Sequence, residues 1–320
     1  MSTILITGGT GSLGKALTRA LLQRNDVKAI RIYSRDELKQ SELKKRFDDP
    51  RMRWFIGDVR DYSRLNEAMY GADIVIHAAA MKQVDTAEYN PLECIKTNIG
   101  GAENVINACL ANGVERCIAL STDKACNPIN LYGATKLCSD KLFVAANNMA
   151  GKRQTRFSVV RYGNVVGSRG SVIPFFKSLA DSEPTPITHK DMTRFFIEIE
   201  DAAQFVIANI FRMYGGEIFV PKIKAAAMVD VANAVRPAKP IKVVGIRPGE
   251  KLHEAMIGPD DDAVDFGSYY VIRPSIKFHD SGEDYSVSRL GVVGDSCAPG
   301  FEFTSDTADR FTNDELRSMI

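Results

Sequence analysis

Long apolar runs are missing from this 320-residue chain: none approaches the roughly 18 residues of a membrane-spanning helix. The first strand pattern starts at Thr3, which leaves no room for a signal peptide. An excess of either charge is missing too. The 41 Lys and Arg against 40 Asp and Glu leave a formal net charge of +1, so neither nucleic acid nor an anionic membrane is favoured as partner. The six cysteines, Cys94, Cys109, Cys117, Cys126, Cys138 and Cys297, contain no CxxC pair. Most fall in helix-like or strand-like segments, where a free thiol packs as a small hydrophobe, as expected in a reducing cytosol. The histidines, His77, His189, His253 and His279, are scattered, and none has a second histidine at ligand spacing, so no metal site is expected. Repeats and low-complexity segments are also lacking. With 45% hydrophobic and 25% charged residues, the composition is that of a globular, cytoplasmic protein able to bury a sizeable core.

What the chain does contain is an alternation of short β-rich runs with helical patterns. The runs are Ile4-Leu5-Ile6, Ala29 to Tyr33, Trp54-Phe55-Ile56, Ile74-Val75-Ile76, Cys117 to Leu120 and Phe157 to Val160. Val and Ile without polar alternation are the pattern of strands covered by helices on both faces. The fold expected is therefore α/β, a Rossmann-like, doubly wound parallel sheet. Beyond Gly163 the rhythm breaks into shorter elements separated by Gly- and Pro-rich loops. This predicts a cofactor domain over 1–165, to which later segments return, and a smaller substrate-binding lobe over 166–320.

Thr7-Gly8-Gly9-Thr10-Gly11-Ser12-Leu13-Gly14 follows the first strand and opens a helix. Glycines at 8, 11 and 14 let backbone approach a pyrophosphate while the helix N-terminus faces its charge. At the end of the second strand, where an acid would meet the ribose diol of NAD, the chain reads Tyr33-Ser34-Arg35-Asp36, with Lys39 a turn later. Arg35 and Lys39 suit the 2′-phosphate of NADP; the alternatives are a solvated helix start, or Asp36 acting as the ribose ligand. Asp58, after the third strand, either accepts from an adenine amine or caps a helix.

After the fifth strand comes Ser121-Thr122-Asp123-Lys124, and then Tyr132 and Lys136, four residues apart at the start of a helical pattern. Residues so spaced share a helix face, and a neighbouring ammonium is expected to lower the phenol's pKa, making Tyr132 a base for a hydroxyl proton as hydride leaves. Asp123-Lys124 stands where simpler dehydrogenases place small or hydroxyl residues. An acid beside a partly desolvated, neutral lysine points to extra proton transfers, with a loop ion pair as the alternative.

With these residues assembled, the chain resembles the inverting UDP-N-acetylglucosamine 4,6-dehydratases of pseudaminic acid synthesis, members of the extended short-chain dehydrogenase/reductase superfamily. The likeness rests on the stretches Ile32 to Lys39, Ser121 to Lys136, Val160 to Val172, Met192 to Phe195 and Gly245 to Glu254. It implies that Tyr132 takes the C4 hydroxyl proton as hydride passes to NADP⁺. Lys124 then takes the C5 proton, Asp123 protonates the departing C6 hydroxyl, hydride returns to C6, and C5 is reprotonated on the opposite face. Thr122 would hold the C4 oxygen, and Lys136 would orient Tyr132 and the nicotinamide ribose. The implied cofactor set is Gly8, Thr10, Gly11, Ser12, Leu13, Gly14, Ser34, Arg35, Asp36, Lys39, Asp58, Val59, Ala78, Ala80 and Lys82, with Tyr132 and Lys136.

Around the UDP-N-acetylglucosamine substrate the likeness places Lys82, Asn164, Val165, Arg169, Lys177, Arg247 and Glu250, with a pairing of Glu250 to Lys251 as the alternative for that carboxylate. It also implies a homo-oligomer built from dimers, possible as a hexamer. Met81-Lys82-Gln83-Val84-Asp85 departs from the family, where a histidine follows the lysine and a proline follows the valine, which bears on fine substrate contacts. The competing readings are a UDP-sugar 4-epimerase, a retaining dehydratase and a non-catalytic NADP-binding regulator.

Overall fold

The computed structural model describes residues 1–151, 153–168, 170–275 and 283–320. All six apolar runs form strands: β1 (Ser2–Thr7), β2 (Val27–Ser34), β3 (Met52–Ile56), β4 (Ile74–His77), β5 (Arg116–Leu120) and β6 (Arg156–Val160). β7 (Ile218–Pro221) continues them in parallel. β8 (Ala263–Asp265), β9 (Tyr269–Ile272) and β10 (Asp295–Ser296) then extend the same sheet in antiparallel fashion. The ten-stranded order is β10-β8-β9-β7-β6-β5-β4-β1-β2-β3. This is a Rossmann-type sheet in which the strand order reverses between β1 and β4, the place where a crevice opens beyond the carboxyl ends of the strands.

The lack of polar alternation follows from this arrangement, because neighbouring residues of one strand enter two different cores. Leu5, Val75, Cys117, Phe157 and Val159 pack on one face with α3 (Tyr62–Met69), α6 (Gly101–Asn112) and α7 (Leu131–Ala150). Ile4, Ile6, Ile30, Ile32, Ile76 and Ile118 pack on the other with α1 (Ser12–Leu22) and α8 (Ile199–Arg212). Each such side chain, buried on folding, contributes about 1.5–3 kcal/mol. A third core of Ile173, Phe176, Met192, Phe196, Val231 and Leu316 lies apart from the sheet and carries the loops that face the crevice.

Local chemistry sets the helix ends near the site. α2 (Glu37–Arg46) is capped by Asp36, whose side chain accepts from the Lys39 amide. α4 (Val84–Tyr89) and α5 (Pro91–Ile95) lead through a wide, π-type turn at Lys96–Gly100 into α6, which ends on Gly113 in the left-handed conformation, φ +66°. α7 begins after Asn130, whose side chain accepts from Gly133 N at 2.7 Å. Among the described residues every cysteine is free, and no helix is long and apolar enough to cross a membrane.

Candidate active site

A single cavity of about 1230 Å³ runs from the glycine turn after β1 to the loop at Arg247–Glu250. At its inner end the backbone leaves no room for side chains. A Cβ on Gly8, φ +66°, would lie 2.8 Å from Ala79 N, and one on Gly14 would lie 2.4 Å from the Gly9 carbonyl oxygen. α1 starts at Gly11 without a side-chain cap, so the amides of its first turn, at the cavity wall, lack that partner. A close backbone approach next to an uncapped helix start fits a dinucleotide pyrophosphate. Thr10, Ser12, Leu13, Val59, Ala78 and Ala80 also line the cavity.

Beyond β2, Ser34, Arg35, Asp36 and Lys39 line the cavity together with Asp58. Asp36 is engaged by α2 through its cap and by the Lys39 ammonium. Asp58 is not a helix cap; Asp61 caps α3 instead, accepting from Arg64 N at 3.1 Å. The Asp58 carboxylate faces Arg60 at 2.7 Å and Arg35 at 3.6 Å. Burial works against its ionisation, but these guanidinium groups outweigh that and hold it below the usual carboxylate range.

The catalytic candidates meet at the middle of the cavity. β5 delivers Ser121, whose amide bonds the Val160 carbonyl, and Asp123–Ala125 then forms one 3₁₀ turn. Asp123 is fully buried and, unlike Thr122, Lys124, Tyr132 and Lys136, is not part of the cavity wall. One of its oxygens, Oδ1, accepts from the Thr122 hydroxyl at 2.9 Å and from Lys124 Nζ at 3.0 Å. Its other oxygen, Oδ2, is buried and has no hydrogen-bond partner among the described residues.

Two expectations about ionisation need correction. Lys124 was expected to be partly neutral. Burial does favour the neutral amine, but Asp123 and Glu254, 3.8 Å away, outweigh it and raise the pKa above the ordinary lysine value. The Tyr132 phenol was expected to be lowered, yet burial pushes it up to about 12, against the opposing pull of Lys124 and the Thr122 hydroxyl. The ammonium that acts on Tyr132 is thus Lys124. Lys136, at the next turn of α7, has its own pKa lowered by burial, countered by Asp140.

Lys82, Asn164, Val165, Arg247 and Glu250 line the outer part of the cavity. Asn164 reaches Lys124 Nζ at 3.5 Å. Glu250 pairs with Arg194, at 3.4 Å, rather than with Lys251, which donates to the Cys126 carbonyl at 2.6 Å. Lys177 lies outside the cavity wall and donates to the Ile320 carbonyl at 2.6 Å, and Arg169 lies outside the described residues. His253 is bonded to Thr193 at 2.8 Å, and no metal-ligating cluster exists among the described residues.

Residues 4–274 match the family described as polysaccharide biosynthesis protein. The chain belongs to that family. It is 61% identical to the UDP-N-acetylglucosamine 4,6-dehydratase (inverting) of Campylobacter jejuni serotype O:2, over 99% of this chain and 96% of the relative. A UDP-glucose 4-epimerase of Rickettsia canadensis is 38% identical over 99% of this chain and 95% of the relative. Among solved structures, Pen from Bacillus thuringiensis superposes with a TM-score of 0.89 at 33% identity, covering 99% of this chain and 96% of Pen. DesIV, a dTDP-glucose 4,6-dehydratase from Streptomyces venezuelae solved with NAD, shares the fold, with a TM-score of 0.70 at 21% identity over 78% of this chain and 86% of DesIV.

In this family member several residues that shape the site have no motif of their own. Asn98, in the wide turn before α6, bonds both the amide and the carbonyl of Met81 and reaches the Thr135 hydroxyl, tying the segment before Lys82 to the catalytic helix. Arg194 and Glu254 belong to stretches the resemblance singled out, but only the folded chain brings them beside Lys124.

Gly133 is the least conspicuous of these residues. A Cβ there would lie 2.2 Å from the Lys124 carbonyl oxygen and 3.0 Å from Pro128 Cβ. Its bare Cα lets the Asp123–Ala125 turn press against the first turn of α7. Gly133→Ala should push that turn away and lower turnover by up to about 10²-fold, the loss expected for misplacing a reacting group by about an ångström. Cofactor affinity should change less than turnover, because the glycine turn after β1 keeps its own backbone contacts. Steady-state rates alongside a cofactor titration check both, and native turnover in Gly133→Ala would exclude this role.

Proposed function

We propose that the protein is a lyase, a UDP-N-acetylglucosamine 4,6-dehydratase that inverts C5 and uses NADP. The observation that carries this reading is full-length identity of 61% and 58% to two relatives named for that reaction. Full-length similarity to UDP-glucose 4-epimerases, at 38–39%, is the weaker alternative. Thr122, Lys124, Tyr132 and Lys136 line one cavity, with Asp123 hydrogen-bonded to Lys124 behind it, which supports the reading, since an acid-base pair beyond Tyr132 and Lys136 suits the removal of water.

When bound, the nicotinamide supplies an acceptor for the C4 hydride and a donor to C6. The protein's part is proton handling. Tyr132 takes the proton of the C4 hydroxyl, held by Thr122, and the new ketone acidifies C5–H. The C5 proton passes to Lys124 after that amine has given its own proton to Asp123 across their 3.0 Å hydrogen bond. Asp123 then supplies the proton on which the C6 hydroxyl leaves as water. Lys82, Asn164, Val165, Arg169, Arg247 and Glu250 are the proposed substrate residues; Arg247 and Glu250 serve the diphosphate and uridine. The resemblance supports a homo-oligomer built from dimers, a cytoplasmic location and a product that enters pseudaminic acid synthesis.

Proton NMR of the reaction with UDP-N-acetylglucosamine in D₂O tests the proposal in one experiment. Loss of water, deuterium at C5 and inverted C5 configuration are expected. A product that is only the C4 epimer would refute it.

The preference for NADP rests on Arg35, which lines the cavity while Asp36 is engaged by α2. Native protein should bind NADP(H) more tightly than NAD(H), and Arg35→Asp should reverse the order. Equal affinities of the native protein in parallel titrations would remove the argument.

A further inference from the structure

Glu254 takes no part in the steps above, yet it lines the cavity while only 3% exposed. Its backbone is locked in place: the amide donates to Ser305 Oγ at 2.9 Å and the carbonyl accepts from Ser305 N at 2.7 Å. Its Oε1 lies 3.8 Å from Lys124 Nζ and 3.8 Å from Arg194 Nε. Its Oε2 lies 3.8 Å from Lys251 Nζ and has no hydrogen-bond partner among the described residues. Burying a carboxylate with one oxygen unbonded is costly, and burial accordingly pushes this group up, with Asp123 adding to the effect and Lys124, Arg194 and Lys251 opposing it.

Lys124 therefore stands between two carboxylates, of which the mechanism uses one. Asp123 must be a neutral acid at the moment it serves the C6 hydroxyl, and a neutral acid is a poor counter-ion. At that moment the C5–H bond breaks, its electron pair passes into the enolate of the C4 ketone, and the proton arrives on Lys124 Nζ. A new ammonium appears in a buried place just as Asp123 is uncharged.

We propose that Glu254 is a positioning residue for Lys124, the counter-ion that holds its ammonium while Asp123 carries the proton destined for C6. The inference rests on the dehydratase reading above. The charged and titratable groups facing this pair are Asp123 and Tyr132 on the catalytic side, and Arg194 and Lys251 on the loop side. Arg194 opposes the ammonium, so the favourable field at Lys124 comes from the two carboxylates.

Glu254→Gln in the full-length enzyme keeps the shape and removes the charge. With UDP-N-acetylglucosamine in D₂O, the maximal rate of deuterium uptake at C5, read at the top of its pH profile, should fall several-fold, to at most about tenfold for one unit of lost basicity. Oxidation at C4, followed by nicotinamide absorbance after rapid mixing, should stay within about twofold, far less than a lost acid-base group costs. Because the carboxylate favours the ammonium, its loss should also move the rising limb of the pH profile for C5 exchange to lower pH by about one unit. A role limited to bracing the fold would slow both steps together and leave the limb where it is.

Native C5 uptake, or an unmoved limb, in Glu254→Gln overturns the proposal. If that variant does not fold, Glu254→Asp decides. It keeps the charge but withdraws it by one methylene, so a smaller shift in the same direction is expected, and no shift overturns the idea. Failure of the dehydratase reading is distinguishable, because the native enzyme would then release no water.

Discussion

Alanine in place of Lys124 should stop the reaction after oxidation and before water is lost. Losing the C5 base should lower dehydration by about 10²–10⁴-fold, the usual contribution of a general acid-base group. The structure adds a second effect. The Lys124 charge also acts on the Tyr132 phenol, which burial has already pushed up to about 12. Removing the charge raises the phenol further, so C4 oxidation should slow as well, though by much less than elimination. Lys124→Arg separates the two effects, because a guanidinium keeps the positive charge and cannot act as base. It should oxidise C4 at closer to the native rate while still failing to exchange C5. Rapid-mixing absorbance in the nicotinamide band reports oxidation, and NMR of C5 deuteration reports elimination. Dehydration at the native rate in Lys124→Ala would mean that the base is elsewhere.

Tyr132→Phe should abolish turnover while leaving cofactor bound. It removes only the hydroxyl that receives the C4 proton, so at least about 10²–10⁴-fold should be lost and no reduced nicotinamide should form. The phenol's position well above neutrality carries a pH consequence. Phenolate is the minor form at pH 7 and grows with each step toward about 12, so C4 oxidation by the native enzyme should rise with pH through the neutral and alkaline range. In Tyr132→Phe the residual rate should not follow that rise. Single-turnover absorbance across pH checks both points, and a variant with near-native oxidation would show that another group takes the proton.

The parallel sheet was legible because its signal is local and repeated. Ile4, Leu5 and Ile6 are buried in succession, which occurs where helices cover both faces of a strand. The glycine turn was legible for the same reason: Gly8 and Gly14 meet backbone so closely that no other residue fits. Tyr132 and Lys136 are likewise set by helical spacing within one segment. Other features depended on distant segments. Glu250 pairs with Arg194 rather than with its chain neighbour, and Lys177 points to the chain end rather than into the cavity.

The sequence by itself thus determined the fold class, the glycine turn after β1 and the side chains proposed as catalytic, since each is written in the residue types and spacing of a short stretch. Only the tertiary structure decided their ionisation. Whether Lys124 is neutral depends on a balance between desolvation, which favours the amine, and the fields of Asp123 and Glu254, which favour the ammonium. Glu254 is 130 residues away along the chain and 3.8 Å away in space. Electrostatic energy follows that second distance, and the burial that strengthens it exists only once β5, α7 and the loop before Ala255–Ile257 have closed around the same point.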